Sequence, residues 1–148
     1  MIELINEQNY VILRCTSGEN LVSELQAYIA SKRIPSSTFT AIGAANEIIL
    51  SFYDLTKKQY LDKTFKEELE IVSLNGNSAW MQDKVVLHLH GVFARKDYST
   101  LGGHIKKLVI SATGEVVINV NKQALYRAYD PQTGLNLLSE ENKSNIGS

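Results

Sequence analysis

Most of this chain consists of short apolar runs, and one longer stretch has the hydrophobic spacing of a helix. In that stretch Leu21, Leu25 and Ile29 recur at four-residue intervals, which places them on one face of a helix. Asn20 is a good N-cap residue, and Pro35 prevents the helix from continuing far beyond it. The pattern therefore predicts one helix with a buried apolar face.

The other apolar runs are rich in β-branched residues and are bounded by turn-forming residues, which favours strands. Strands are predicted at residues 10–15, 38–42, 47–53, 59–64, 70–74, 85–93, 108–120 and 124–129. Residues 75–77 are predicted to end a strand and residues 78–83 to form a loop. The sequence thus predicts an α+β domain, with a central, largely antiparallel sheet and one or two flanking helices, over residues 1–138. Residues 139–148 are predicted to form a flexible tail.

Composition narrows the possible partners and the compartment. A chain of 148 residues with 44% hydrophobic and 21% charged residues fits one globular domain. The net charge of −1 provides no positive field for a nucleic-acid backbone, which disfavours direct nucleic-acid binding. The single cysteine, Cys15, excludes an internal disulfide, and no apolar run is long enough to cross a bilayer. We expect a cytoplasmic protein without a membrane segment.

All three histidines lie within residues 83–104. Side chains alternate along a strand, so His88 and His90 share one face. A hairpin centred near Asp97 sets position 90 opposite position 104 and brings His104 to the same face. Three neutral imidazoles that converge in this way are suitable ligands for Zn²⁺ or another first-row divalent ion.

The predicted cluster depends on the register of this hairpin. A turn centred half a residue away would direct His104 to the opposite face and separate it from the other two. In either register, the alternative to a metal site is that these are ordinary hydrogen-bonded histidines of strands near a core. Gly102 and Gly103 precede His104 and permit a positive φ or a close backbone approach. A β-bulge would explain the two glycines equally well.

Five short motifs occur along the chain in a recognisable order. They are Ile-Gly-Ala at 42–44, Glu-Ile-Val-Ser-Leu-Asn-Gly at 70–76, His-Leu-His at 88–90, Gly-Gly-His at 102–104 and Glu-Val-Val-Ile at 115–118. Their combination resembles the plants-and-prokaryotes conserved domain, or PPC domain, in its stand-alone prokaryotic form. The resemblance covers roughly residues 10–120.

This resemblance implies a domain with a central antiparallel sheet that assembles as a homotrimer. It also implies a metal site, which carries over onto His88, His90 and His104. Plant relatives join the same domain to AT-hooks, Arg-Gly-Arg-Pro elements that enter the minor groove of DNA. This chain contains no Arg-Gly-Arg-Pro sequence, so the resemblance to DNA-binding relatives does not extend to that element.

Two carboxylates within the matched motifs are candidate catalytic residues. Glu70 and Glu115 each lie in an apolar strand, where a buried carboxylate needs a partner. Either could accept a hydrogen bond from a metal-bound histidine or act as a general base toward metal-bound water. The alternatives are an intersubunit salt bridge with Arg14, Arg95 or a lysine, and a solvent-facing position at a sheet edge.

Three functions follow from these features. The first is a metal-binding homo-oligomer with a regulatory role, or one that binds a small ligand or a protein partner. The second is a zinc-dependent hydrolase or lyase, in which the three histidines leave a position on the ion open for water. The third, direct DNA binding, is disfavoured by the charge and by the missing AT-hook.

Overall fold

The structure is a computed structural model that describes residues 1–139. Over these residues it contains nine strands and one α-helix. In chain order they are β1 (Ile2–Glu7), β2 (Tyr10–Thr16), α1 (Leu21–Ser31), β3 (Ser36–Asp54), β4 (Gln59–Phe65), β5 (Leu69–Met81), β6 (Lys84–Ala94), β7 (Thr100–Asn121), β8 (Tyr126–Asp130) and β9 (Leu135–Ser139).

All nine strands belong to one sheet, whose main path is β1-β2-β7-β3-β5-β8-β9. Strand β4 pairs with β3, and β6 pairs with both β5 and β7, so that β3, β5, β6 and β7 form a closed circuit. Every pairing is antiparallel except a single bridge between β5 and β8. The predicted antiparallel sheet is confirmed, but the fold is mostly β and has one helix in residues 1–139 rather than a larger α component.

The helix α1 covers the strands β6 and β7 and closes one side of the core. Leu21, Leu25 and Ile29 are fully buried, as their spacing predicts. The Asn20 side chain caps the helix by accepting a hydrogen bond from the Val22 backbone N–H at 3.2 Å. No helix within residues 1–139 has both the length and the apolar character needed to cross a membrane.

Several strands are longer than the sequence predicts. Residues 75–77 do not end a strand, because Asn75, Gly76 and Asn77 pair with positions 90, 89 and 88 of β6 and continue β5 to Met81. Inter-strand hydrogen bonding on both sides of β5 outweighs the turn preference of Asn and Gly. A side chain at position 76 would lie 2.5 Å from the backbone oxygen of His88, so only glycine allows this close pairing.

The described chain begins and ends with strands that the sequence pattern did not predict, β1 and β9. β1 pairs with β2 at the edge of the sheet, with all six residues exposed. The predicted strand 124–129 corresponds to β8, which forms a hairpin with β9. Of the predicted tail 139–148, residue 139 ends β9 and the remainder lies outside the described residues.

Candidate metal centre

The histidine cluster lies where β6 and β7 pair. His90 is the register partner of His104, as a hairpin centred near Asp97 predicts. Asp97 stabilises the turn, because its carboxylate accepts hydrogen bonds from the Ser99 backbone N–H at 3.0 Å and hydroxyl at 2.6 Å. Local turn chemistry therefore sets the register on which the cluster depends.

The three rings converge on one point of the surface. One ring nitrogen from each of His88, His90 and His104 lies within 4.8 Å of the other two. The Nε2 atoms of His88 and His90 are 3.1 Å apart. The ring centroids are separated by 4.9, 5.3 and 5.4 Å. The predicted convergence is confirmed, and the alternative register that would separate His104 from the other two is wrong.

Side chains from β4 hold one side of the cluster. The Tyr60 ring stacks on His104 with a centroid distance of 5.2 Å and an interplanar angle of 29°. The ammonium group of Lys106 lies 4.8 Å from the centre of the same tyrosine ring and binds the Asp62 carboxylate at 2.8 Å. This arrangement restricts the orientation of the His104 ring, whose Nδ1 is buried and has no hydrogen-bond partner among the described residues.

Desolvation favours the uncharged form of two of the histidines. It lowers the pKa of His104 to about 4, with smaller contributions from the charges of His88 and His90. Burial also lowers the pKa of His88, and the nearby Arg127 charge acts in the same direction. The neutral imidazole is the form that binds metal ions, so both rings are available as ligands at neutral pH without first losing a proton.

The depressed pKa of His104 predicts acid-sensitive stability for the metal-free protein. The unfolded chain binds a proton at this histidine near pH 6.5, whereas the folded protein does so only near pH 4. The contribution of the uncharged His104 to the free energy of unfolding is therefore fully present above pH 6.5, and it is lost as the pH falls from 6.5 to about 4. Because the ring is partly exposed, we expect a loss of about 1 to 2 kcal/mol.

Urea unfolding of chelator-treated protein across this window measures the loss, with the substitution His104→Gln as comparison. Carboxylates that titrate in the same range contribute equally to both proteins. The free energy of unfolding should consequently fall less steeply with acidification in the variant. Equal slopes in the two proteins would show that His104 is not the responsible group.

A cavity of about 430 Å³ opens directly beside two of the histidines. Its polar residues are His88, His104, Tyr60, Asn136 and Arg127, and most of the remaining wall is aliphatic. Sequence reasoning missed Tyr60 and Arg127. No local motif marks either residue, because each reaches the site only through the pairing of a strand that is distant from the histidines in the chain.

The structure does not bring the two candidate carboxylates to the histidines. Glu70 and Glu115 are both exposed. Glu70 lies five positions along β5 from the register partner of His90, which corresponds to about 16 Å at the usual rise of a strand. Glu115 lies eleven positions along β7 from His104, roughly 35 Å of strand length, and is the register partner of Arg14 on β2. Within one chain, neither can hydrogen-bond a histidine of the cluster.

The fold and the cluster define a class of protein: a mostly β domain that carries three histidines at the base of a hairpin. Sequence comparison identifies the family. The profile of the Plants and Prokaryotes Conserved (PCC) domain, the PPC domain of the resemblance above, matches residues 5–122. The chain belongs to this family, which confirms the resemblance. No curated protein sequence matches the chain significantly.

Solved structures with the same fold agree with this assignment. A protein from Bacteroides thetaiotaomicron is 36% identical over 91% of this chain and 94% of its own, with a TM-score of 0.88. One from Ralstonia eutropha is 28% identical over 91% of this chain and 94% of its own, with a TM-score of 0.86. Both are described as a putative DNA-binding protein. A protein from Archaeoglobus fulgidus is described as metal-containing. It is 31% identical over 93% of this chain and 97% of its own, with a TM-score of 0.81.

Proposed function

We propose that this protein is a metal-binding, homo-oligomeric member of the PPC family in which His88, His90 and His104 hold a divalent ion, most simply Zn²⁺. The observation that carries the proposal is the placement of three ring nitrogens within 4.8 Å of one another. The description of the Archaeoglobus fulgidus protein as metal-containing is in accord with it.

The donor set fits such an ion. At zinc–nitrogen distances of about 2.0–2.1 Å, tetrahedral ligand atoms lie roughly 3.3 Å apart. The 3.1 Å between the Nε2 atoms of His88 and His90 is already close to this value, and the ring nitrogen of His104 lies no more than 4.8 Å from the other two ligand atoms. A bound cation would also replace the contact between two ring nitrogens, one of which must otherwise be protonated. Three histidines leave a fourth position for water or a ligand.

The oligomeric part of the proposal has a separate basis. Ile42, Val72 and Val92 are 56%, 53% and 40% exposed on the adjacent strands β3, β5 and β6. Apolar side chains on neighbouring strands favour a contact with another copy of the chain. We propose the homotrimer implied by the family, acting in the cytoplasm in a regulatory or ligand-binding role. Light scattering that gives the mass of a single chain would contradict it.

Two other functions have less support from the structure. An open position on a three-histidine ion would also suit a hydrolase or lyase, but within one chain neither Glu70 nor Glu115 lies near the cluster to serve as a base. The descriptions of the Bacteroides and Ralstonia proteins raise direct DNA binding. A net charge of −1 argues against it, and a mobility shift at physiological salt would be the observation in its favour.

Elemental analysis of protein purified without an affinity tag tests the metal site. We expect about one divalent ion per chain in the wild type and less than about a tenth of this in the double variant His88→Ala/His90→Ala, because a single histidine cannot retain the ion. Lys84→Ala/Lys96→Ala is a matched control, since both lysines are exposed at or just beyond the ends of β6. Equal and negligible metal in all three proteins, also after incubation with Zn²⁺, would overturn the proposal.

A further inference from the structure

The cavity beside the histidine cluster contains a guanidinium group that the proposed metal site does not use. Arg127 lies on β8 and is partly buried. Its Nη2 donates to the Asn77 side-chain oxygen at 2.7 Å and its Nη1 to the Asn136 backbone oxygen at 2.9 Å. Because Asn77 is the register partner of His88, the first of these bonds places the guanidinium next to the cluster.

The positive charge of Arg127 is not neutralised within residues 1–139. Both of its hydrogen-bond partners are neutral oxygens, and no carboxylate of these residues lies within 4.0 Å of it. Its Nε is buried and has no hydrogen-bond partner there. An arginine stays protonated, so this position carries the cost of a partly desolvated charge without an anion to offset it.

Charge and shape together indicate what the cavity can bind. A divalent ion on the histidines would add a second positive centre next to Arg127, and none of the acidic side chains within residues 1–139 lines the cavity. Much of its wall is aliphatic, formed by Val86, Leu87, Leu135, Leu137 and Leu138. Its volume of about 430 Å³ is within the range of small-molecule sites.

We propose that this cavity binds a small organic acid with an apolar body: an oxyanion group of the ligand binds Arg127, and a second oxygen occupies the open position of the ion held by the histidines. The inference rests on the proposed metal site and names the class of ligand for it. Carboxylate and phosphate both present the paired oxygens that a guanidinium binds. The aliphatic wall accommodates the rest of the molecule and excludes fully hydrated anions.

Binding of two probes to the Zn²⁺-loaded protein tests the inference by calorimetry. Benzylsuccinate has two carboxylates and an apolar ring, phenyl phosphate presents a phosphate instead, and the diamide of benzylsuccinate is the neutral control. We expect at least one of the two acids to bind, and the tighter one identifies whether the site prefers a carboxylate or a phosphate. The diamide should bind at least about tenfold more weakly than benzylsuccinate. Arg127→Met should weaken binding of the preferred acid by about 10- to 100-fold.

Metal content, measured in parallel, separates the two proposals. Arg127→Met should keep its zinc, and Arg14→Met, which removes an exposed arginine from β2, should change ligand affinity by less than about twofold. If Arg127→Met does not fold, Arg127→Lys decides, since lysine cannot reproduce the planar fork and should bind at least about tenfold more weakly than wild type. Zinc-loaded protein that binds neither acid, or that binds them equally without Arg127, overturns this inference alone. Protein that takes up no zinc overturns both proposals.

Discussion

Zn²⁺ at a thousandfold excess over its dissociation constant is expected to raise the free energy of unfolding by about 4 kcal/mol. The reason is that β6 carries two of the proposed ligands and β7 the third, so the complete site would exist only in the folded chain. His104→Gln should lose nearly all of this gain, because two histidines two residues apart on one strand bind an ion far more weakly than three. Urea unfolding with and without Zn²⁺ measures the effect.

Two controls determine whether the gain comes from this site. Mg²⁺ prefers oxygen ligands and should leave the unfolding transition unchanged. The variant Lys84→Ala/Lys96→Ala keeps the three histidines and should be stabilised by Zn²⁺ as much as the wild type. If His104→Gln gained as much stability from Zn²⁺ as the wild type, the ion would be bound elsewhere and the proposed ligand set would be wrong.

Gly43→Ala is expected to destabilise the protein by at least about 3 kcal/mol. Gly43 lies inside the long strand β3 and is the register partner of Gly114 on β7. Its φ is +145°. A Cβ at this position would lie 2.1 Å from the backbone oxygen of Thr113 and 2.9 Å from the Cα of Gly114. Backbone atoms cannot move aside as a flexible side chain can, so the two longest strands would have to separate locally.

Gly18→Ala is the matched control for this substitution. Gly18 also has a positive φ, +84°, but a Cβ there would have no atom of residues 1–139 within 4 Å. Its replacement should cost only the backbone strain, about 1 to 2 kcal/mol. The difference between the two variants in urea unfolding therefore measures the steric conflict at Gly43 together with the larger backbone strain of a φ near +145°. Equal losses would mean that β3 and β7 can adapt to a side chain at this crossing.

Sequence patterns predicted the parts of this protein that depend on local periodicity. The four-residue spacing of Leu21, Leu25 and Ile29 determined the buried face of α1. The two-residue spacing of His88 and His90 determined that they share a face, and turn-forming residues around Asp97 determined the register that adds His104. Alternation along a strand and the geometry of a short hairpin are sufficient for these three histidines, because all of them lie in one contiguous segment.

Tertiary structure alone decided the features that depend on pairing between distant segments. Turn-like residues such as Asn75 and Asn77 lie inside a strand because β3 and β6 pair on either side of it. Glu70 and Glu115 are exposed and far from the histidines for the same kind of reason: strand pairing, not motif membership, determines where a side chain lies. Arg127 lies beside the cluster because β8 joins β5 through the bridge between Trp80 and Tyr126. The sequence alone determined the helix face and the histidine cluster through short-range periodicity, whereas the cavity and its charge depend on contacts between residues far apart in the chain.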